Sequence, residues 1–138
     1  MAWGFTLDPF GTVCKIIESW RPRGCSTEKE FEQSLLRKLQ KELKKQKIQT
    51  QYGSGRQRID IVVDNKVPIE IKKDLKDPRA LHRTIGQLEQ YFQDKNWDGF
   101  FLVLCGNIAS DLLKSLKSYA KSKTDLMGDE KITIIVKK

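Results

Sequence analysis

The chain has 138 residues, 38% of them hydrophobic and 32% charged, which suits one domain with its own core and argues against bulk disorder or a fibrous protein. Its longest apolar runs, Gly99 to Leu104 and Ile132 to Val136, fall far short of the roughly 20 residues of a membrane span, so no membrane partner is expected. Lysine and arginine total 26 against 18 acids, a net charge of +8 that favours a polyanionic partner such as nucleic acid, although a soluble protein merely rich in lysine has the same arithmetic.

Asp8-Pro9 has the pattern of an N-cap followed by proline at the first helical position, and Val13, Ile16, Ile17 and Trp20 follow at helical spacing. Arg21-Pro22-Arg23-Gly24 ends that short amphipathic helix. Thr27-x-x-Glu30 is a capping-box pattern. Phe31, Leu35, Leu36, Leu39 and Leu43 recur at three- and four-residue steps, predicting a helix over about Thr27 to Lys47. Its later turns carry Arg37, Lys38, Lys41, Lys44, Lys45 and Lys47, cations that suit a helix C-terminus and could also meet phosphates.

Ile48 to Tyr52 is compatible with a strand, and Gly53-Ser54-Gly55 with a turn. Ile59, Ile61 and Val63 alternate with Arg58, Asp60 and Val62. Asp64-Asn65-Lys66 then predicts a hairpin turn into a partner strand from Val67 to Lys72. Asp77-Pro78 opens a further helix with Leu81, Ile85, Leu88 and Phe92 on one face, ending over Asn96 to Gly99. Phe100 to Leu104 reads as a strand buried on both faces. Asn107 to about Lys121 predicts a third core helix, and Lys131 to Lys137 a last strand. The fold class is therefore α/β, a mixed sheet with helices on both faces and one extra helix in front.

Cysteines at 14, 25 and 105, with no C-x-x-C, argue against a disulfide framework and a zinc knuckle. The N-terminus shows no signal-peptide pattern, and the expected compartment is the reducing cytoplasm. His82 is the only histidine, which excludes chemistry needing a His pair.

Glu70 and Lys72 stand two apart on one strand and share a face, and the hairpin register can bring Asp60 beside them. Two carboxylates and an ammonium on one patch suit metal-assisted phosphodiester hydrolysis. Asp60, Glu70 and the Ile71 carbonyl supply hard oxygens for Mg²⁺, for which Mn²⁺ can substitute. Lys72 would hold the attacking water or stabilise the charge growing on phosphorus. The same residues would also serve as ordinary cross-strand pairs.

Context sharpens that reading. From about Thr27 to Leu104 the chain resembles the PD-(D/E)XK nuclease superfamily, in its RecB-like and archaeal Holliday-junction-resolvase-like branch. Arg58-Ile59-Asp60-Ile61-Val62 resembles the strand carrying the first metal-binding aspartate, with Ile59 where proline is usual. Ile69-Glu70-Ile71-Lys72 resembles the E-x-K strand. Glu32, within Phe31 to Leu39, matches a site glutamate of the first helix, although Glu28 or Glu30 could take its place. Gln87-Leu88-Glu89-Gln90-Tyr91 matches the Q-x-x-x-Y motif.

The resemblance implies a restriction-endonuclease-like αβββαβ core over residues 26–138 behind an N-terminal extension of residues 1–25. It also implies a Mg²⁺-dependent nuclease acting on DNA. In that reading Gln87 would orient Lys72 or a water, and Tyr91 would brace the lysine or reach a phosphate. Arg56, Arg58, Lys73, Lys76, Lys41 and Lys45 would bind the nucleic-acid backbone. A catalytically inactive nucleic-acid-binding or assembly module with the same fold is the alternative.

The extension contains Trp3, Phe5, Phe10, Val13, Ile16, Ile17 and Trp20, more apolar than a tail. Packing on the sheet, pairing with a second copy, or forming the seam to a larger protein would each use that surface. A homodimer is favoured, because so small a nuclease needs two sites to cut both strands at once.

Overall fold

A computed structural model describes residues 8–53, 55 and 57–137. Trp3, Phe5, Ser54 and Arg56 lie outside the described residues.

The first helix, α1 (Pro9–Ser19), starts where Asp8 accepts a hydrogen bond from the Gly11 amide at 2.9 Å, with Pro9 at the first helical position. In α2 (Glu28–Glu42) both halves of the capping box form. Thr27 Oγ1 accepts from the Glu30 amide at 3.1 Å, and Glu30 Oε1 accepts from the Thr27 amide at 3.0 Å. This helix ends five residues before the expected Lys47. Leu43 is its C-cap and is buried, and the chain reverses through residues 44–46. The reversal is pinned by the Lys47 amide donating to Asp64 Oδ1 at 3.0 Å and the Asp64 amide donating to the Lys47 carbonyl at 2.8 Å. Lys44, Lys45 and Lys47 are therefore not helical, and Lys45 stands exposed in the turn.

Strands β1 (Ile48–Tyr52), β2 (Ile59–Val63) and β3 (Val67–Leu75) form an antiparallel meander. Asp64 and Asn65, with φ of 52° and 56°, make the tight turn between β2 and β3 that the sequence predicted. Helix α3 (Pro78–Asp94) is capped by Asp77 accepting from the Ala80 amide at 2.9 Å, and it crosses to β4 (Phe100–Ile108), parallel to β3. Helix α4 (Ser110–Ser122) crosses to β5 (Ile132–Lys137), parallel to β4. The sheet order is β1-β2-β3-β4-β5, a mixed sheet in which β3 is central. Strands β3 and β4 both run longer than the sequence predicted, and α4 starts three residues later.

Alternation along the strands divides the core between the two faces of the sheet. Ile61, Val63, Ile69, Ile71, Phe101, Val103 and Cys105 pack with α1 and α2. Val62, Leu102, Leu104 and Ile132 pack with Leu81, Leu88 and Tyr91 of α3 and Leu112 and Leu116 of α4. Helix α1 is fully part of the first layer. Val13, Ile16 and Ile17 are buried, Phe10 lies 6.4 Å from Phe101 between ring centroids, and Trp20 Nε1 donates to Ser34 Oγ at 3.0 Å. Of the three destinations open to this segment, packing on the sheet describes residues 9–20. Among the described residues, no helix is long and apolar enough to cross a membrane.

Candidate active site at a fork in the sheet

The β2–β3 ladder runs from Val63↔Val67 to Ile61↔Ile69 and stops. Beyond it the two strands pair only outward, β2 with β1 through Tyr52↔Ile59 and β3 with β4 as far as Leu75↔Ile108. Side chains take over where backbone pairing ends. The Asp60 amide donates to Glu70 Oε1 at 3.2 Å, and the Ile71 amide donates to Asp60 Oδ2 at 2.8 Å. Two acids thus interlock across a fork near the middle of the sheet, each held by a backbone N–H.

Lys72 Nζ lies 3.5 Å from Glu70 Oε2, as their shared strand face requires. Tyr91, on the buried face of α3, donates its hydroxyl to the Arg58 carbonyl at 3.0 Å and to Glu70 Oε2 at 3.3 Å. It braces Glu70 and the β2 backbone, where the resemblance had it bracing Lys72 or reaching a phosphate. Gln87, one turn earlier, has its Oε1 buried with no hydrogen-bond partner among the described residues. A buried amide oxygen left in that state costs about 1–3 kcal/mol, so Gln87 holds an acceptor in reserve on the Tyr91 face of α3.

Helix α2 brings acids from the opposite layer. Glu32 is buried, and its Oε1 accepts from Gln51 Nε2 at 3.2 Å. Gln51 adopts a φ of 49° at the end of β1, in the left-handed region that few residues without a functional or turn role occupy. Glu28, one helical turn before Glu32, lies near enough to Lys72 and the Lys73 backbone for both to pull its carboxyl down. Both glutamates add negative potential at Asp60. Glu30 is fully used in the cap. Glu28 and Gln51 are thus the site members that motif spacing underweights. The usable signal for Glu28 was its i, i+4 relation to Glu32.

Burial sets the electrostatics. Asp60 is pushed up to about 8, first by burial and then by the Glu70 charge, against the lowering effect of the Ile71 amide. Glu70, only 4% exposed, is also raised, again chiefly by burial, with Lys72 pulling the other way. Glu28, exposed on α2, is also raised, first by partial desolvation. Among the described residues, the site therefore holds more acid than the Lys72 ammonium can offset.

Those acids fit a hard divalent cation. Asp60 and Glu70, with the Ile71 carbonyl between Glu70 and Lys72 on β3, make an oxygen-only donor set. Mg²⁺ typically takes one or two carboxylates and keeps its remaining positions for water and phosphate. Among the described residues, no group of three or more His, Cys, Asp or Glu side chains forms a fuller cage.

The basic residues are dispersed. Arg58 is exposed at the start of β2, its Nε donating to the Gly55 carbonyl at 3.2 Å. Lys73 and Lys76 lie 2.9 and 3.8 Å from Asp74 Oδ2, so part of their charge is already offset. Lys41 is exposed in the last turn of α2, nine residues from Glu32 and so about 14 Å farther along the helix axis. Comparison of the chain with family models, with curated proteins and with solved structures found no match.

Proposed function

We propose that the chain is a Mg²⁺-dependent nuclease of the PD-(D/E)XK type that hydrolyses DNA phosphodiester bonds through metal-activated water, with a restriction-endonuclease-like core. The observation that carries this reading is the fork. Asp60 and Glu70 are held against each other by backbone amides where β2 and β3 part, with Lys72 beside them. A fold has little reason to bury mutually repelling acids without enough cations unless a cation or a reaction uses them.

Asp60, Glu70 and the Ile71 carbonyl would hold Mg²⁺, or Mn²⁺ in its place. A divalent ion bound there lowers the pKa of water and offsets charge on a phosphate. The chain's own residues do the rest. The Ile71 amide and the Tyr91 hydroxyl keep the two carboxylates aimed. Lys72 presents three N–H donors to a phosphate oxygen or to the nucleophile. Glu28 and Glu32 add negative potential at Asp60, and Glu28 also meets the Lys72 charge. Arg58, with Lys73 and Lys76 once a phosphate competes with Asp74, would set the strand's position without reading its sequence.

The test is a cleavage panel of linear, nicked, branched and circular DNA with Mg²⁺ or Mn²⁺, run on the wild type and on Asp60→Ala, Glu70→Ala and Lys72→Ala. Cleavage by the wild type alone supports the reading. Absence of metal-dependent cleavage on every substrate sinks it and leaves a nucleic-acid-binding module with this fold. Sedimentation of the isolated chain decides between a monomer and the homodimer expected for cutting both strands.

A further inference from the structure

A cavity of about 490 Å³ opens beside the fork, between the ends of β1 and β2 and the C-terminal end of α3. Its buried floor is Ile59, Tyr91 and Trp97, and Tyr52, Asp94 and Lys95 stand toward its rim. Tyr52 meets Trp97 edge-on at 5.6 Å between ring centroids. Lys95 Nζ lies 4.3 Å from the Trp97 centroid, within 3.4 Å of the Tyr52 hydroxyl and 3.0 Å from the Asn65 carbonyl. Aromatic rings and an aliphatic side chain thus line the bottom, while a cation and a carboxylate stand at the mouth. Tyr91 joins this cavity to the acids, because its ring lines the cavity while its hydroxyl reaches Glu70.

We propose that this cavity is a nucleobase subsite, taking one unpaired base of a DNA strand whose neighbouring phosphate lies at Asp60 and Glu70. The inference rests on the nuclease reading and narrows its substrate to single-stranded, flapped or frayed DNA. A base offers a flat π-face for Tyr52 and the apolar floor, and N–H groups at its edge for the Asp94 carboxylate. The Lys95 ammonium suits the attached phosphate, and the net charge of +8 draws polyanions in general. Inside a duplex the base faces are covered by their neighbours, so only an extruded or unpaired nucleotide reaches such a pocket.

The experiment measures fluorescence anisotropy of a labelled single-stranded DNA, the same strand in a blunt duplex, and a fully abasic strand of equal length. The full chain is used with EDTA present, so that no cleavage intervenes. The wild type should prefer the base-bearing single strand over the abasic one by about tenfold. Tyr52→Ala should erase most of that preference while leaving duplex affinity within about twofold. Equal affinity of the wild type for the abasic and base-bearing strands overturns the subsite without relying on any variant. So does a Tyr52→Ala protein that keeps the full preference. A parallel Mg²⁺ cleavage assay separates the two claims. Base preference without cleavage removes the nuclease reading and keeps a base pocket; cleavage without base preference does the reverse. If an aromatic peptide competes for the cavity and base-bearing DNA does not, the pocket is a protein-docking site and the proposal fails.

Discussion

Strand β3 loses its regular pairing twice, once on each edge, and the two breaks have opposite electrostatics. On the β2 side, Asp60 and Glu70 replace ladder bonds and both are pushed toward protonation. On the β4 side the register shifts between Lys73 and Leu75, and Asp74 sits there with a φ of 68°. Asp74 Oδ1 accepts from the Asn107 amide at 2.8 Å, and its Oδ2 takes Lys73 at 2.9 Å and Lys76 at 3.8 Å. Its carboxyl is held below the usual range, first by the Asn107 hydrogen bond. The Asp74 break neutralises its own acid and functions as architecture, whereas the fork keeps acid in excess of cation. That contrast, more than the presence of carboxylates, marks the fork as the place where chemistry is expected.

The largest expected effect is on cleavage at the fork. Asp60→Ala or Glu70→Ala should reduce Mg²⁺-dependent hydrolysis to background. Lys72→Ala should lower it by about 10²–10³-fold, with circular dichroism confirming that the fold persists. An equally severe loss in Asp74→Ala would erase the distinction between the two breaks.

The second expectation concerns the architectural break. Gly106 has a φ of 85°, and a Cβ there would stand 2.5 Å from Asp74 Oδ1. Gly106→Ala should destabilise the protein by about 1–3 kcal/mol, measured by urea unfolding, because it strains the backbone and crowds the carboxylate that repairs the sheet.

The third uses pH. Asp60 binds its proton up to about pH 8 in the folded chain, and a free aspartate only to about 4. The stability from that retained proton is complete below the unfolded value and is lost as pH rises through the folded one. Asp60→Asn, which imitates the protonated acid, should therefore raise Tm more at pH 8.5 than at pH 5. Added Mg²⁺ should raise the Tm of the wild type and leave that of Asp60→Asn nearly unmoved. A pH-independent difference in Tm would show that the acid is not under this stress.

The smallest effect belongs to the α3 face. Gln87→Leu removes a buried acceptor without a partner and should leave stability within about 1 kcal/mol of wild type or slightly improve it. Cleavage should fall several-fold if that acceptor orients Lys72 or a water. Unchanged turnover would confine Gln87 to packing.

The legible part of the fold was the part controlled by neighbours in sequence. Asp8-Pro9, Thr27 with Glu30, and Asp77-Pro78 each start a helix at the residue their capping chemistry names. The Asp64-Asn65 turn fixes the β2–β3 register, and that register alone brings Asp60 to Glu70. The sequence predicts α2 to continue to Lys47 because Lys44, Lys45 and Lys47 favour helix. Burial of Leu43 and the tie between Lys47 and Asp64 stop it instead. The aromatic-lined cavity had no sequence signature, since Tyr52 ends β1, Tyr91 lies on α3 and Trp97 in the connection to β4.

Local chemistry, then, determined which elements form and that two acids and a lysine would stand on neighbouring strands. Tertiary structure alone decided that β2 and β3 part at those acids, that Glu28 stands with Glu32 near them from the opposite layer, and that Asp74 is paired with lysines while Asp60 is pushed toward protonation. The physical reason is that a carboxylate's state depends on burial and on charges distant in sequence, whereas caps and turns are closed by residues three or four positions away.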